Sequence, residues 1–315
     1  MDPTIIIFGL GIGTLVGMTG MGGGSLMTPL LILVFGIQPT TAIGTDIFYS
    51  AITKTVGGWR HLRMRTVNMD LVKWLALGSV PAAVGGVALV SLLERNLGPE
   101  RLDSLVYAVL GGTLLMVGVV TLARALILRG LVDERDGFEV ERRHKIAAVT
   151  IGATTGFVIG ITSAGSGTVI AILLIAVFRL VPKKVVGTDV FHAAVLLWAA
   201  GLAHWIGGNV DFTLAGNILL GSVPGVVIGA ALSSRAPQGF IRTALGIVLV
   251  ASGIVTIQKG DPTVWPIAAA VAGVSLALLI WFPRWYRSRR EVREEVATPE
   301  RAGDRSGELA PETIG

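Results

Sequence analysis

The chain has 315 residues, 52% hydrophobic and only 15% charged, with a mean hydropathy of +0.72 and a formal net charge of +5. That balance excludes an ordinary soluble domain and places the chain among integral membrane proteins. With no cysteine, disulfides and thiolate metal sites are excluded; the basic residues lie in loops between apolar runs and in the tail, which points to membrane lipid rather than nucleic acid as the surrounding partner.

The long apolar runs lack strand alternation, so helices rather than a barrel are expected to satisfy the backbone in lipid. The N-terminus has neither a basic region before its first apolar stretch nor a cleavage site after it, and reads as part of the mature protein. Five elements form a first half: 4–18, 25–37, 41–59, 69–93 and 102–128. The second is about 20 Å long at roughly 1.5 Å per residue, short of a hydrocarbon core of about 30 Å. A second half follows as 146–161, 168–178, 185–206, 212–232 and 240–257, and an unpaired span covers 264–282. The domain reading is a first membrane repeat (1–128), a cytoplasmic linker (129–145), a second repeat (146–260), an extra transmembrane helix (261–287) and a disordered cytoplasmic tail (288–315).

The halves are related by one constant shift of 143 positions, which carries Gly9, Gly13 and Gly17 onto Gly152, Gly156 and Gly160. It also carries Gly22-Gly23-Gly24-Ser25 onto Gly165-Ser166-Gly167-Thr168, Gly44-Thr45-Asp46 onto Gly187-Thr188-Asp189, and Gly78-Ser79-Val80-Pro81 onto Gly221-Ser222-Val223-Pro224. In the fifth elements the shift falls to 135, matching Gly111 and Gly118 with Gly246 and Gly253.

Positive charge sets the orientation. The run Arg60-His61-Leu62-Arg63-Met64-Arg65, the inter-half loop (Arg129, Arg135, Arg142, Arg143, Lys145), Arg179, Lys183 and Lys184, Arg235 and Arg242, and Arg284, Arg287, Arg289 and Arg290 in the tail all lie inside only under one condition. The first two elements of each half must cross an even number of times, as a re-entrant hairpin or as two spans. The halves then have opposite orientations, with the N-terminus outside and the C-terminus inside. Arg95 and Arg101 are exceptions. The expected fold is an all-α membrane protein of two inverted-topology repeats, with broken helices meeting near the midplane.

The glycine stripes suit close helix packing. The breaks after them, Gly20 to Gly24 and Ser163 to Gly167, expose backbone N–H groups at helix N-termini, a favourable place for an anion; a plain helix–helix turn is the alternative. Asp46 and Asp189 are the acids within the third helices, where an intramembrane carboxylate is costly and is expected to serve function. Alternatively Thr45, Thr188 or the aspartates cap a neighbouring helix terminus. Two carboxylates beside an anion path repel the anion unless protonated or paired, which suggests proton coupling. Lys54, eight residues after Asp46 and matched by Leu197, is either a counter-charge or a lysine snorkelling to the surface. His192, matched by Tyr49, is either a proton partner or a satisfied interior histidine. Trp59, Trp198 and Trp205 line a path or anchor at the interface. Gly165-Ser166-Gly167 with His192 or His204 also raises an intramembrane serine protease, but the repeat puts Gly23 at the position of Ser166, which makes that serine part of a duplicated turn.

The glycine-rich break near the N-terminus, the GTD before a helix with a lysine downstream, and the duplicated halves resemble the TauE/SafE-type sulfite exporters, also called toluene-sulfonate uptake permeases, over about residues 4–257. The resemblance implies a non-enzymatic transporter moving sulfur-containing anions such as sulfite, thiosulfate or organosulfonates across the inner membrane, linked to the proton gradient, with no cofactor. It points to Gly22–Ser25, Gly165–Thr168, Asp46 and Asp189. In an alternating-access mechanism, the break amides and the hydroxyls of Ser25, Thr168, Thr45 and Thr188 are expected to hold the substrate oxygens, and Asp46 or Asp189 to exchange the proton. A passive anion channel is the rival reading, and a homodimer is compatible with the sequence.

Overall fold

The computed structural model describes residues 1–19, 24–126, 141–165, 167–233, 238–274 and 277. They form eleven helices: α1 (Pro3–Thr19), α2 (Gly24–Val34), α3 (Pro39–Arg63), α4 (Met69–Leu97), α5 (Pro99–Leu126), α6 (Arg142–Thr162), α7 (Thr168–Phe178), α8 (Pro182–Ile206), α9 (Phe212–Ser233), α10 (Gln238–Lys259) and α11 (Pro262–Val274). Among the described residues, five stretches are long and apolar enough to cross a membrane, within α4, α5, α6, α8 and α9. The tail beyond 277, most of the inter-half loop, and Gly22, Gly23 and Ser166 lie outside the described residues.

Local sequence explains the boundaries. Pro39 and Pro182 occupy the first turn of α3 and α8, where a missing N–H costs nothing. Asn68 caps α4 by accepting the N–H of Leu71, and Asp211 caps α9 by accepting that of Leu214. Several helices outrun the sequence reading. α3 begins at Pro39 and continues to Arg63, so Arg60, His61 and Arg63, read above as loop, are its last turn, where cations suit the helix C-terminus. Arg142 to Lys145, read above as linker, are the first turn of α6, with Glu141 as its capping residue. α2 stops at Val34, earlier than expected, with Gly36 at φ +66 in the connection to α3.

The halves are interleaved. α1 of the first half lies along α9 of the second, and α6 lies along α4. The glycine stripes make both contacts. Gly9, Gly13 and Gly17 press on the α9 backbone at Ile218, Ser222 and Val226; their counterparts Gly152, Gly156 and Gly160 press on α4 at Leu75, Ser79 and Ala83. The contact is reciprocal, since Gly221, Gly225 and Gly229 receive Ile6, Leu10 and Thr14. Residue numbers rise together along each pair, so each pair is parallel.

The other equivalent helices pair with each other and run antiparallel. Gly58 of α3 meets Phe191 while Gly201 of α8 meets Phe48; Gly111 of α5 faces Gly253 while Gly118 faces Gly246. α2 and α7, each 11 residues or about 16 Å, are enclosed by the rest. Met27, Leu31, Ile32, Ile170 and Leu174 are fully buried in the main core, as expected of helices apolar all round. Lys259 at the end of α10 donates to the Ile32 carbonyl near the end of α2 at 3.1 Å, supplying a cation where a helix leaves carbonyls unpaired. α11 packs on α5 through Gly112 and a small cluster of Ala108, Val264 and Ala268.

Candidate functional site

The second break is built by left-handed backbone. Ser163 ends α6 at φ 58, Gly165 lies at φ 100, and Gly167 precedes α7 at φ 102. Glycine takes up the last two without the Cβ penalty. The Ser163 N–H closes α6 on the Ile159 carbonyl. The turn then reaches the other half: Gly165 N–H donates to Ser25 Oγ, in the first turn of α2, at 3.4 Å. The second break therefore meets the N-terminal turn of α2, and Thr168 opens α7 beside it at 4% exposure.

The two GTD motifs follow one plan. Gly44 lets the Asn209 carbonyl approach α3, and Gly187 lets the Thr66 carbonyl approach α8. Thr45 Oγ1 accepts the N–H of Asp211, and Thr188 Oγ1 accepts the N–H of Asn68, both at 3.0 Å. Each threonine thus ties down the chain just before the fourth helix of the opposite half. This is the capping alternative in a form that reaches between halves.

Their aspartates are treated differently. Asp46 is fully buried and accepts three hydroxyls: Thr28 at 2.5 Å and Ser163 at 2.8 Å on Oδ2, and Ser50 at 3.2 Å on Oδ1. The 143-position shift carries Thr28 to Ala171, Ser50 to Ala193 and Ser163 back to Gly20. At all three matching positions the sequence therefore has alanine or glycine. Asp189 is buried at 4% exposure, and its Oδ1 has no hydrogen-bond partner.

What Asp189 has instead is Lys54. That lysine is buried within α3 and interacts electrostatically with Asp189 first and Asp46 second. α3 backs onto α8 at Gly57 and Gly58, against Val190 and Phe191, and in this antiparallel pair Lys54 and Asp189 flank that crossing from opposite sides, each within about one turn of it. The snorkelling alternative does not fit a buried lysine between two aspartates.

His192 is fully buried, with Nε2 2.8 Å from Ser79 Oγ. Tyr49, at the matching position, is directed at Ser222, the counterpart of Ser79. His204 Nε2 is 2.9 Å from the Gly160 carbonyl. Both histidines the protease reading would use as bases thus have other ring partners. Trp59 and Trp205 are half-exposed, and Trp198 donates to Thr55 at 2.8 Å near the surface, so none of the three lies at the Asp46 centre.

Thr28 and Ser50 escaped the sequence reading. Their signal was available in the repeat alignment, as polar residues facing alanines across the shift.

Residues 5–256 match the protein family described as Sulfite exporter TauE/SafE. The chain is 39% identical over 254 residues to the probable membrane transporter protein YjnA of Bacillus subtilis strain 168, covering 81% of this chain and 99% of that protein. It is 26% identical to YdhB of the same organism, also named a probable membrane transporter, over 80% of this chain and 98% of the relative. The probable membrane transporter MJ0441 of Methanocaldococcus jannaschii is 27% identical over 66% of this chain and 74% of its own length. No solved structure matches. With the family match spanning nearly all the described helices, the chain belongs to the sulfite exporter TauE/SafE family of membrane transporters.

Proposed function

We propose that this protein is a secondary transporter moving a sulfur-containing anion, such as sulfite, thiosulfate or an organosulfonate, across the cytoplasmic membrane by proton-coupled alternating access. The observation that carries the reading is the bond between the second helix break and the N-terminal turn of α2, at Gly165 and Ser25, in a core that also buries Asp46, Asp189 and Lys54. Irregular backbone and ionisable side chains at such depth are costly in lipid and are retained where they serve a substrate path. The break amides, Ser25, Thr168 and Lys54 offer donors and positive charge to an oxyanion.

The halves are an inverted-topology repeat in this reading. Support comes from the antiparallel pairing of α3 with α8 and of α5 with α10, combined with the placement of basic residues. The parallel glycine interlocks make α1 with α9, and α4 with α6, the rigid units. The conformational change then rocks these mixed pairs against each other, since a first helix cannot slide past the fourth helix into which its backbone is sunk.

A thermal-shift screen on the purified protein tests the substrate class. Sulfite, thiosulfate and small sulfonates are expected to raise the melting temperature by mass action, with no matching effect from carboxylates of the same charge. Equal stabilisation by carboxylates, or none by any sulfur anion, would overturn the assignment.

A further inference from the structure

We infer that Lys54 and Asp189 form the exchange pair of the transporter, in which an anion takes Lys54 only when a proton takes Asp189, while Asp46 is a fixed positioning residue. The inference rests on the transport reading above and assigns unequal roles to two aspartates that the repeat makes formally equivalent.

A buried carboxylate needs compensation, and the two copies receive it by different means. Asp46 is held by three hydroxyl donors from α2, α3 and the second break. Three donated hydroxyls favour the carboxylate form, so Asp46 is the better compensated of the two aspartates and holds the break in place. Asp189 has lost all three hydroxyls to Ala171, Ala193 and Gly20, and gained Lys54 where the first half's aspartate is matched with Leu197. Its Oδ1 is buried without a hydrogen-bond partner. The charged group acting on it is Lys54 of α3; His192 lies one turn on in α8, and His61 of α3 reaches the neighbourhood of Gly187 through Thr66, 2.9 Å from its ring. α7 carries no ionisable residue, and α4 presents Ser79 to His192.

The charge count then sets the sign of coupling. With both carboxylates ionised and Lys54 cationic, the centre is negative by one and rejects an anion. An anion reaching Lys54 replaces Asp189 as its counter-charge, and the carboxylate left behind in a low-dielectric interior takes up a proton at its free oxygen. Proton and anion are therefore bound together and released together. This is cotransport in one direction, not exchange of one for the other.

The test uses the full chain in proteoliposomes, with radiolabelled thiosulfate, sulfite and methanesulfonate as probes, and thermal unfolding of the same preparations. An inside-alkaline gradient is expected to raise uptake of a transported probe about tenfold, within the usual range for coupled sites. In Asp189→Asn the ratio of uptake with and without the gradient should fall to about one. Lys54→Met should lower the melting temperature and Asp189→Asn should restore it in the double variant; Asp46→Asn should not, and Lys54→Arg should keep the wild-type value. Gradient-driven uptake that persists in Asp189→Asn, rescue by Asp46→Asn, or stimulation by the opposite gradient would overturn the pair while leaving transport standing. Failure of the wild type to move any probe would instead overturn the proposed function and the coupling step with it.

Discussion

Ser163, in the break of the second half, donates its hydroxyl to Asp46 of the first half at 2.8 Å, across 117 positions of sequence. With Thr28 on the same carboxylate oxygen, this bond fastens α2, α3 and the second break at one buried point. Removing either hydroxyl leaves a charge short of a donor, at a cost of about 1.5–3 kcal/mol. Ser163→Ala and Thr28→Val should each lower the melting temperature of the detergent-purified protein. Because they share one acceptor, the double variant should lose measurably less than the sum. Full additivity would contradict a shared centre.

The glycine interlock gives a contrast within one helix. A methyl at Gly9 would lie 2.8 Å from the Ile218 carbonyl, and at Gly13 it would meet the Ser222 backbone, whereas Gly11 has nothing within 4 Å. Gly9→Ala and Gly13→Ala should therefore destabilise by about 1–3 kcal/mol, as overpacking against backbone does. Gly11→Ala should be neutral or stabilising by up to about 1 kcal/mol, through the removal of glycine's flexibility. Thermal unfolding of the three variants checks this directly.

The paired threonines predict a symmetric effect. Thr45→Val and Thr188→Val each strip one acceptor from a backbone N–H at the mouth of a fourth helix, at Asp211 and at Asn68. Each should cost about 1 kcal/mol. The two bonds share no partner, so their costs should add. Melting temperatures of the single and double variants read this out. A loss of anion-induced stabilisation without any loss of intrinsic stability would return these hydroxyls to the substrate.

Much of this architecture could be read from the sequence because the chain states it twice. The shift of 143 positions, taken from Gly9, Gly22 and Asp46, also relates the observed ends of α3 and α8, residue for residue. The spacing of the glycine stripe alone points to packing, and the interlocks with α9 and α4 are that packing. What the sequence concealed was the partner. Nothing in Gly13 indicates that it lies against Ser222 rather than within its own half, since helix pairing between repeats is a tertiary choice. The unequal aspartates were hidden for a different reason. Their motifs are identical; the repeat alignment sets Thr28 and Ser50 against alanines, but only the fold brings them and Ser163 onto one carboxylate. Thr45 and Thr188 adjoin the aspartates in sequence, but on a helix adjacent residues point to different faces, and their hydroxyls accept the backbone N–H groups of Asp211 and Asn68.

The natural absence of cysteine makes orientation directly measurable. Arg63 and Ile206 end α3 and α8, occupy matching repeat positions and are exposed. In an inverted repeat, Arg63→Cys should react with a membrane-impermeant maleimide only from the cytoplasmic side, and Ile206→Cys only from the outer side. Labelling of both from one side would mean a parallel repeat, and would remove the reason for the two breaks to approach the site from opposite sides.

The central claim is that a proton gradient does work on a sulfur-containing anion through this site. The direct measurement is net uptake of radiolabelled thiosulfate or sulfite into proteoliposomes preloaded with the same unlabelled anion at higher concentration, with an inside-alkaline gradient as the sole driving force. The account predicts accumulation against the concentration gradient, collapsing when a protonophore is added. Flux that only follows the concentration gradient, whatever the pH difference, would contradict it and identify a passive channel.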